Sequence, residues 1–327
     1  QVRTPRLSLA AQRAPAPHPA SGGSPRDALE KATAPPEEEG PELSRQQPGA
    51  PARLATGVFT LWGEKKSWPK KWVSQDSSLI LPLSGGQLFV AVFDGHGESG
   101  HHVAGKVKAM FERQVPLLPV GDGGHSSTVN ALRTIFFQCQ AALEAESMCT
   151  LSGTTATAAL VDPRAGTLVT AHVGDSTLIV ARGGGVAFST RDHKVDALDE
   201  QRVLARGGVV RTAAVSGGSA VRRVFARNAK HPGLAMSRAL GDLEAARLGV
   251  LCEPEVTACL PFGPGSTLIV ASDGLWDVFP REAAAKAVLS LDAEQGARGL
   301  AHEARSRYPV GMDIDDITVV VVQYPDG

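Results

Sequence analysis

The chain has 327 residues, and 33 Lys plus Arg against 34 Asp plus Glu give a formal net charge of −1, which excludes nucleic-acid binding by overall charge. A hydrophobic fraction of 43% supports a substantial core, and no apolar run approaches the roughly 20 residues that cross a bilayer as a helix. Cys139, Cys149, Cys252 and Cys259 are too scattered for a disulfide framework or a CxxC zinc pattern, which suits a soluble cytoplasmic or nuclear protein.

Residues 1–52 hold ten of the 22 prolines and few large apolar residues. Such a stretch buries too little apolar surface to offset its ordering entropy, so a disordered Pro/Ala-rich tail is expected. Arg3, Arg6, Arg13 and Arg26 precede any acid except that Arg26 adjoins Asp27, a composition compatible with organelle targeting. Residues 53–327 read as one globular domain. Runs rich in Val, Ile, Leu and Thr predict strands at 79–83, 88–93, 155–161, 167–173, 178–181, 267–271 and 317–323. Helical periodicity predicts helices at 100–115, 128–146, 281–290 and 293–306, with Pro280 in a first-turn position. The strands come in adjacent groups, without strict alternation with helices. That grouping predicts antiparallel sheets with helices on their outer faces.

Aspartates recur at the ends of these strands. Residues 88–93 run into Asp94-Gly95-His96-Gly97, and 267–271 run into Ser272-Asp273-Gly274. Residues 168–173 run into Gly174-Asp175, and Asp313-Ile-Asp-Asp316 precedes the last strand. Any one Asp-Gly pair is ordinary turn chemistry. Four acidic corners at the mouths of buried strands point instead to a shared cation site, because clustered carboxylates are costly alone. Oxygen ligands without Cys select Mg²⁺ or Mn²⁺ over Zn²⁺. Several carboxylates also suit two metals that activate a water for phosphoryl displacement.

Six segments occur in order: Val92-Phe-Asp-Gly-His-Gly97, Ser152-Gly-Thr-Thr-Ala156, His172-Val-Gly-Asp-Ser176, Gly233-Leu-Ala-Met-Ser-Arg-Ala-Leu-Gly-Asp242, Ala271-Ser-Asp-Gly-Leu-Trp-Asp277 and Asp315-Asp-Ile-Thr318. Together they resemble the metal-dependent Ser/Thr protein phosphatases of the PPM family, type 2C, most in the style of plant and protist members. The resemblance implies an α+β fold, a four-layer α-β-β-α sandwich of two antiparallel sheets flanked by helices. It implies that Asp94 bridges two Mg²⁺ or Mn²⁺ ions, that the Gly95 carbonyl binds one, and that Asp273 and Asp315 bind the other. Asp76 matches the acidic residue of the family's first motif, with Gln75 where many members have Glu. Asp175 and Asp277 match positions for a third, weaker ion, and Asp242 lies near the site.

The implied activity is hydrolysis of phosphoserine and phosphothreonine in protein substrates by a monomer. A water activated by the two metals attacks phosphorus, and His96 gives a proton to the departing oxygen. Lys71 stands five residues before Asp76, where many members carry a phosphate-gripping Arg, and it lacks that residue's bidentate fork. Thr177 replaces the family Arg after Gly-Asp-Ser, which removes a local salt bridge. Asp316 replaces a common Asn and adds a charge near the metals. His101 and His102 read as a helix start, and His172 and His193 as core or supporting residues. Residues 211–232 match a variable flap whose Arg222, Arg223 and Arg227 suit acidic protein segments, or simply a solvated basic loop. Two other readings compete. A catalytically silent scaffold with this fold would lack metal ligands, and a nuclease-type two-metal esterase would show a His-rich ligand set and an aromatic-basic stripe.

Overall fold

A computed structural model of the chain describes residues 53–65, 72–119, 124–214 and 220–326. The 1–52 tail and Lys71 therefore lie outside the described residues. The first half runs β1 (Ala55–Leu61), β2 (Asp76–Pro82), β3 (Leu88–His96), α1 (Gly100–Gln114), α2 (Gly124–Leu143), β4 (Gly153–Thr154), β5 (Ala156–Asp162), β6 (Thr167–Val173), β7 (Thr177–Arg182) and β8 (Gly185–Ser189). The second half runs α3 (Ala197–Ala205), β9 (Gly208–Ala214), β10 (Ala220–Ala226), β11 (Pro232–Leu234), β12 (Leu240–Gly241), α4 (Leu243–Arg247), β13 (Glu255–Pro261), β14 (Ser266–Ala271), α5 (Asp273–Trp276), α6 (Arg281–Ala287), α7 (Ala293–Arg307) and β15 (Ile317–Gln323).

The period of two along each central strand builds the layers. In β3, Phe89, Ala91 and Phe93 face α1 and α2, while Leu88, Val90 and Val92 face the other sheet. In β15, Ile317, Val319 and Val321 face the C-terminal helices, while Val320 and Val322 face the first sheet. One sheet has the order β1-β15-β14-β7-β8, and the other β12-β4-β3-β5-β6-β13 with β2 paired to β3. All of these pairings are antiparallel. The result is the α-β-β-α sandwich, with one apolar layer between the sheets and one under each helical face. Phe111 meets Phe93 and Phe136 edge-on, at ring separations of 5.3 and 5.2 Å. Losing a phenylalanine from such a cluster typically costs ~3–5 kcal/mol.

Some elements differ from the sequence expectation. Helix α2 ends at Leu143, and Pro280 caps α6 from outside the first turn. Part of the 211–232 flap is a third small sheet, β11-β10-β9, packed with α3 and α4 around Val203, Val224, Leu234 and Ala245. Two of its arginines are engaged internally. Arg222 pairs with Glu200, and Arg223 donates to the Gly233 carbonyl at 2.8 Å. Among the described residues, no helix is long and apolar enough to cross a membrane.

Candidate metal centre and active site

The two central sheets end in carboxylates at one place. Pairing of β2 with β3 sets Asp76 opposite Asp94. The Asp94 amide donates to Thr155 Oγ1 at 3.0 Å, and its carbonyl accepts from the Thr155 amide at 2.8 Å. Gly95 follows, where a side chain has no room: a Cβ there would lie 2.4 Å from the Gly100 carbonyl oxygen and 2.7 Å from that of Gln75. Asp273 opens α5 directly after β14, and Asp315 lies two residues before β15.

The electrostatics show that these groups converge. Burial pushes the Asp94 carboxyl well above its usual range, and the charges of Asp76, Asp273, Asp315 and Asp175 push it further. Asp273 is raised by burial and then by Asp175, Asp315 and Asp277. Asp76 is raised to about 7 by burial and then by Asp316, against bonds that favour its charged form. Asp277 is raised as well, chiefly by burial. Each carboxylate thus opposes ionisation of its neighbours, the pattern that a bound cation reverses.

Protein groups satisfy this site only in part. Ser272 donates its hydroxyl to Asp76 Oδ2 at 2.8 Å and accepts from the Thr318 amide at 2.9 Å. Asp76 Oδ1 is buried with no hydrogen-bond partner. An orphaned carboxylate oxygen amid other aspartates fits a hard divalent cation by donor type and by charge. Two lysines meet the rest of the charge. Lys65 Nζ lies 2.7 Å from Asp315 Oδ2, and Lys194 pairs with Asp175. Burial alone would lower both ammonium pKa values, but the facing carboxylates outweigh it and hold both raised.

The structure brings Asp76, Asp94, Asp175, Asp273, Asp277 and Asp315 into mutual electrostatic reach. His96 Nε2 lies 2.6 Å from Asp242 Oδ2. Burial would lower the His96 pKa, yet the charge and hydrogen bond of Asp242 leave it raised. Asp242 is therefore the direct partner of the histidine, a closer role than its sequence position indicated.

Asp316 has a definite task. Its Oδ1 accepts from the Gly63 amide at 2.6 Å and from Trp72 Nε1 at 3.0 Å, and its Oδ2 accepts from the Gln75 amide at 2.9 Å. A carboxylate serves three donors there and ties both ends of the 63–75 segment to β15. Gln75 donates its side-chain amide to the Gly97 carbonyl at 2.7 Å, which braces the turn after His96. At Thr177, Arg281 supplies the cation that the sequence lacks locally. It donates to Asp192 Oδ1 at 2.8 Å and to Thr177 Oγ1 at 3.2 Å.

A second cluster resembles a metal cage and is not built as one. Ligand atoms of His172, His193 and Glu255 lie within 4.8 Å of one another. The two rings stack at 4.5 Å with a 9° interplanar angle, so their in-plane lone pairs run side by side. The Gly174 amide donates to His193 Nδ1 at 3.1 Å, which places the proton of the neutral ring on Nε2, toward Glu255. His101 and His102 lie in the first turn of α1.

An α-β-β-α sandwich that gathers carboxylates at the ends of both sheets is the architecture of a metal-dependent phosphohydrolase. Residues 75–306 match the family model for Protein phosphatase 2C, so the chain belongs to that family. It is a metal-dependent protein serine/threonine phosphatase. It is 31% identical to "Probable protein phosphatase 2C 48" of Oryza sativa subsp. japonica, over 83% of this chain and 89% of that protein. It is 31% identical to "Probable protein phosphatase 2C 61" of Arabidopsis thaliana, over 76% of this chain and 80% of that one. Its fold resembles the serine-threonine phosphatase 2C of Toxoplasma gondii, with a TM-score of 0.64, 21% identity, and coverage of 83% of this chain and 95% of that one.

Proposed function

We propose that this chain hydrolyses phosphoserine and phosphothreonine in proteins at a centre of two Mg²⁺ or Mn²⁺ ions, with His96 as general acid. Residues 53–327 would form the catalytic domain, with 1–52 as a tail outside it. The observation that carries the reading is a His–Asp pair beside a group of mostly half-buried aspartates that oppose one another's ionisation. Asp94 would touch both ions, the Gly95 carbonyl and Asp76 one of them, and Asp273 and Asp315 the other. Asp175 and Asp277 would take a third, weaker ion in exchange for Lys194. Bound divalent ions would supply a nucleophilic water at neutral pH and offset the phosphate charge.

The chain's own groups do the rest. Asp242 holds the His96 ring through Nε2 and favours its cationic form, which keeps a proton ready for the departing Ser or Thr oxygen. Lys71 would hold the phosphate, as its spacing before Asp76 suggests, and Lys65 would add a second cation on that side, since its ammonium stands 2.7 Å from Asp315 Oδ2. A catalytically silent scaffold would show a broken ligand set, whereas Asp94, Asp273 and Asp315 are present together.

The test is turnover of a phosphothreonine peptide by the full chain across a Mn²⁺ titration, with calorimetric Mn²⁺ binding measured in parallel. Turnover should require Mn²⁺. Asp273→Asn should lower kcat/KM by roughly 10²–10³-fold or more and reduce the number of ions bound, with an unchanged circular dichroism spectrum. Wild-type turnover by Asp273→Asn in saturating Mn²⁺ would remove this metal assignment.

A further inference from the structure

The turn that presents Asp242 to His96 is not held by its own sheet alone. Gly241 has φ 83°, and Asp242, a residue with a side chain, is left-handed at φ 45° and ψ 48°. Left-handed backbone at a non-glycine residue persists only where the surroundings fix it. Strand β12 is two residues long, so its ladder to β4 supplies little, and the Asp242 amide adds one bond to the Ser152 carbonyl at 3.0 Å.

The Asp242 carbonyl accepts from the Ala246 amide at 2.8 Å, and a further restraint on the turn comes from helix α2, 101 residues earlier in the chain. Gln140 is buried, at 6% exposure. Its Oε1 accepts from the Gly241 amide at 2.8 Å, and its Nε2 donates to the Gly241 carbonyl at 3.2 Å. One planar amide thus clasps both the backbone N–H and the backbone carbonyl of Gly241, the residue before Asp242. We propose that Gln140 is a positioning residue for the general acid: it fixes Gly241, which sets Asp242, which holds His96. This rests on the assignment of His96 as acid, and it adds a residue that touches neither substrate nor metal.

The chemistry gives a readout that a merely structural role would not move. An acid is needed when a serine or threonine alkoxide departs, but not when an aryl oxide such as p-nitrophenolate does. Gln140→Met keeps the side chain's length and removes both hydrogen bonds. In the full chain with saturating Mn²⁺, it should lower kcat on a phosphothreonine peptide about tenfold and on p-nitrophenyl phosphate no more than about twofold. Gln140→Glu keeps an acceptor for the Gly241 amide, gives an intermediate effect, and carries the test if the methionine variant fails to fold. Metal-free protein offers a second readout, since the His96 Nε2 proton resonance should lose the downfield position that its 2.6 Å bond to Asp242 gives it.

His96→Gln is assayed beside these variants. Equal losses on both substrates for His96→Gln would defeat the acid assignment itself. A selective loss for His96→Gln with equal losses, or none, for both Gln140 variants would defeat the positioning role alone.

Discussion

Two histidines with carboxylate neighbours, one half-buried and one buried, behave in opposite ways. His96 sits 2.6 Å from Asp242 and is raised; His193 sits 3.4 Å from Glu255 and is lowered to about 2. Burial opposes the charged ring in both cases, so the partner decides the outcome. Asp242 has 3% of its side chain exposed and makes a short bond, so its charge acts through little water. Glu255 is 38% exposed and lies too far for a good hydrogen bond, while His172, Arg238 and Arg191 add positive or competing groups around His193. His193 also spends Nδ1 as an acceptor for the Gly174 amide, a bond that only an unprotonated nitrogen makes. A carboxylate near a buried histidine is thus insufficient to make an acid; it must be buried, close and bonded.

The largest test of this contrast deletes the charged ring. His96→Gln should lower kcat on phosphothreonine peptide by roughly 10²–10³-fold while sparing aryl phosphate, and the corresponding His193→Gln change should show no leaving-group selectivity. Comparable selectivity at both positions would erase the distinction. A smaller effect is expected from Asp242→Asn, which keeps the contact and removes the charge. The catalytic form of His96 is protonated, so losing the anion lets burial dominate and lowers its pKa. The alkaline limb of the peptide kcat profile should move to lower pH, with about a tenfold loss near pH 8. An unmoved limb would mean that Asp242 does not set the proton affinity of His96.

Much of this was legible in the sequence, and what was not has several physical causes. The strand β3 is readable because apolar residues line both of its faces, although it runs on past the expected end at residue 93, through Asp94 to His96. Asp273 is readable where it follows β14, and Asp315 where it precedes β15. Lys65 escaped notice because counting back from Asp76 singled out Lys71, which lies outside the described residues. Gly63, bonded to Asp316, sets this stretch beside the last strand, and Lys65 reaches Asp315 from a position the counted spacing does not cover. Gln140 and Gly241 meet across 101 residues, and no local pattern marks that meeting. Strand β13 was hidden because its residues are mostly half-buried on an edge and Cys259 breaks the register at φ 60°. The β9–β10 hairpin was hidden by a Gly, Ser and Arg composition that ordinarily signals a loop.

The smallest expected effect concerns stability and separates the two histidines without any substrate. His193 has a folded pKa of about 2 against an ordinary value near 6.5. Below pH 6.5 the unfolded chain therefore binds a proton that the folded chain refuses. The stability that His193 contributes is fully present above 6.5 and is lost as pH falls, by up to about 1.4 kcal/mol per unit. His96 has the opposite sign, since a raised pKa favours the folded state at low pH and loses that advantage as pH rises through the folded value. The raised aspartates of the metal-free centre share that sign, so the raw slope mixes several groups. The informative quantity is the difference between wild type and His193→Gln in urea unfolding at pH 7.5, 6.0 and 5.0. The wild-type chain should lose stability relative to the variant as pH falls, and a difference that stays flat would show that His193 is not held neutral by burial.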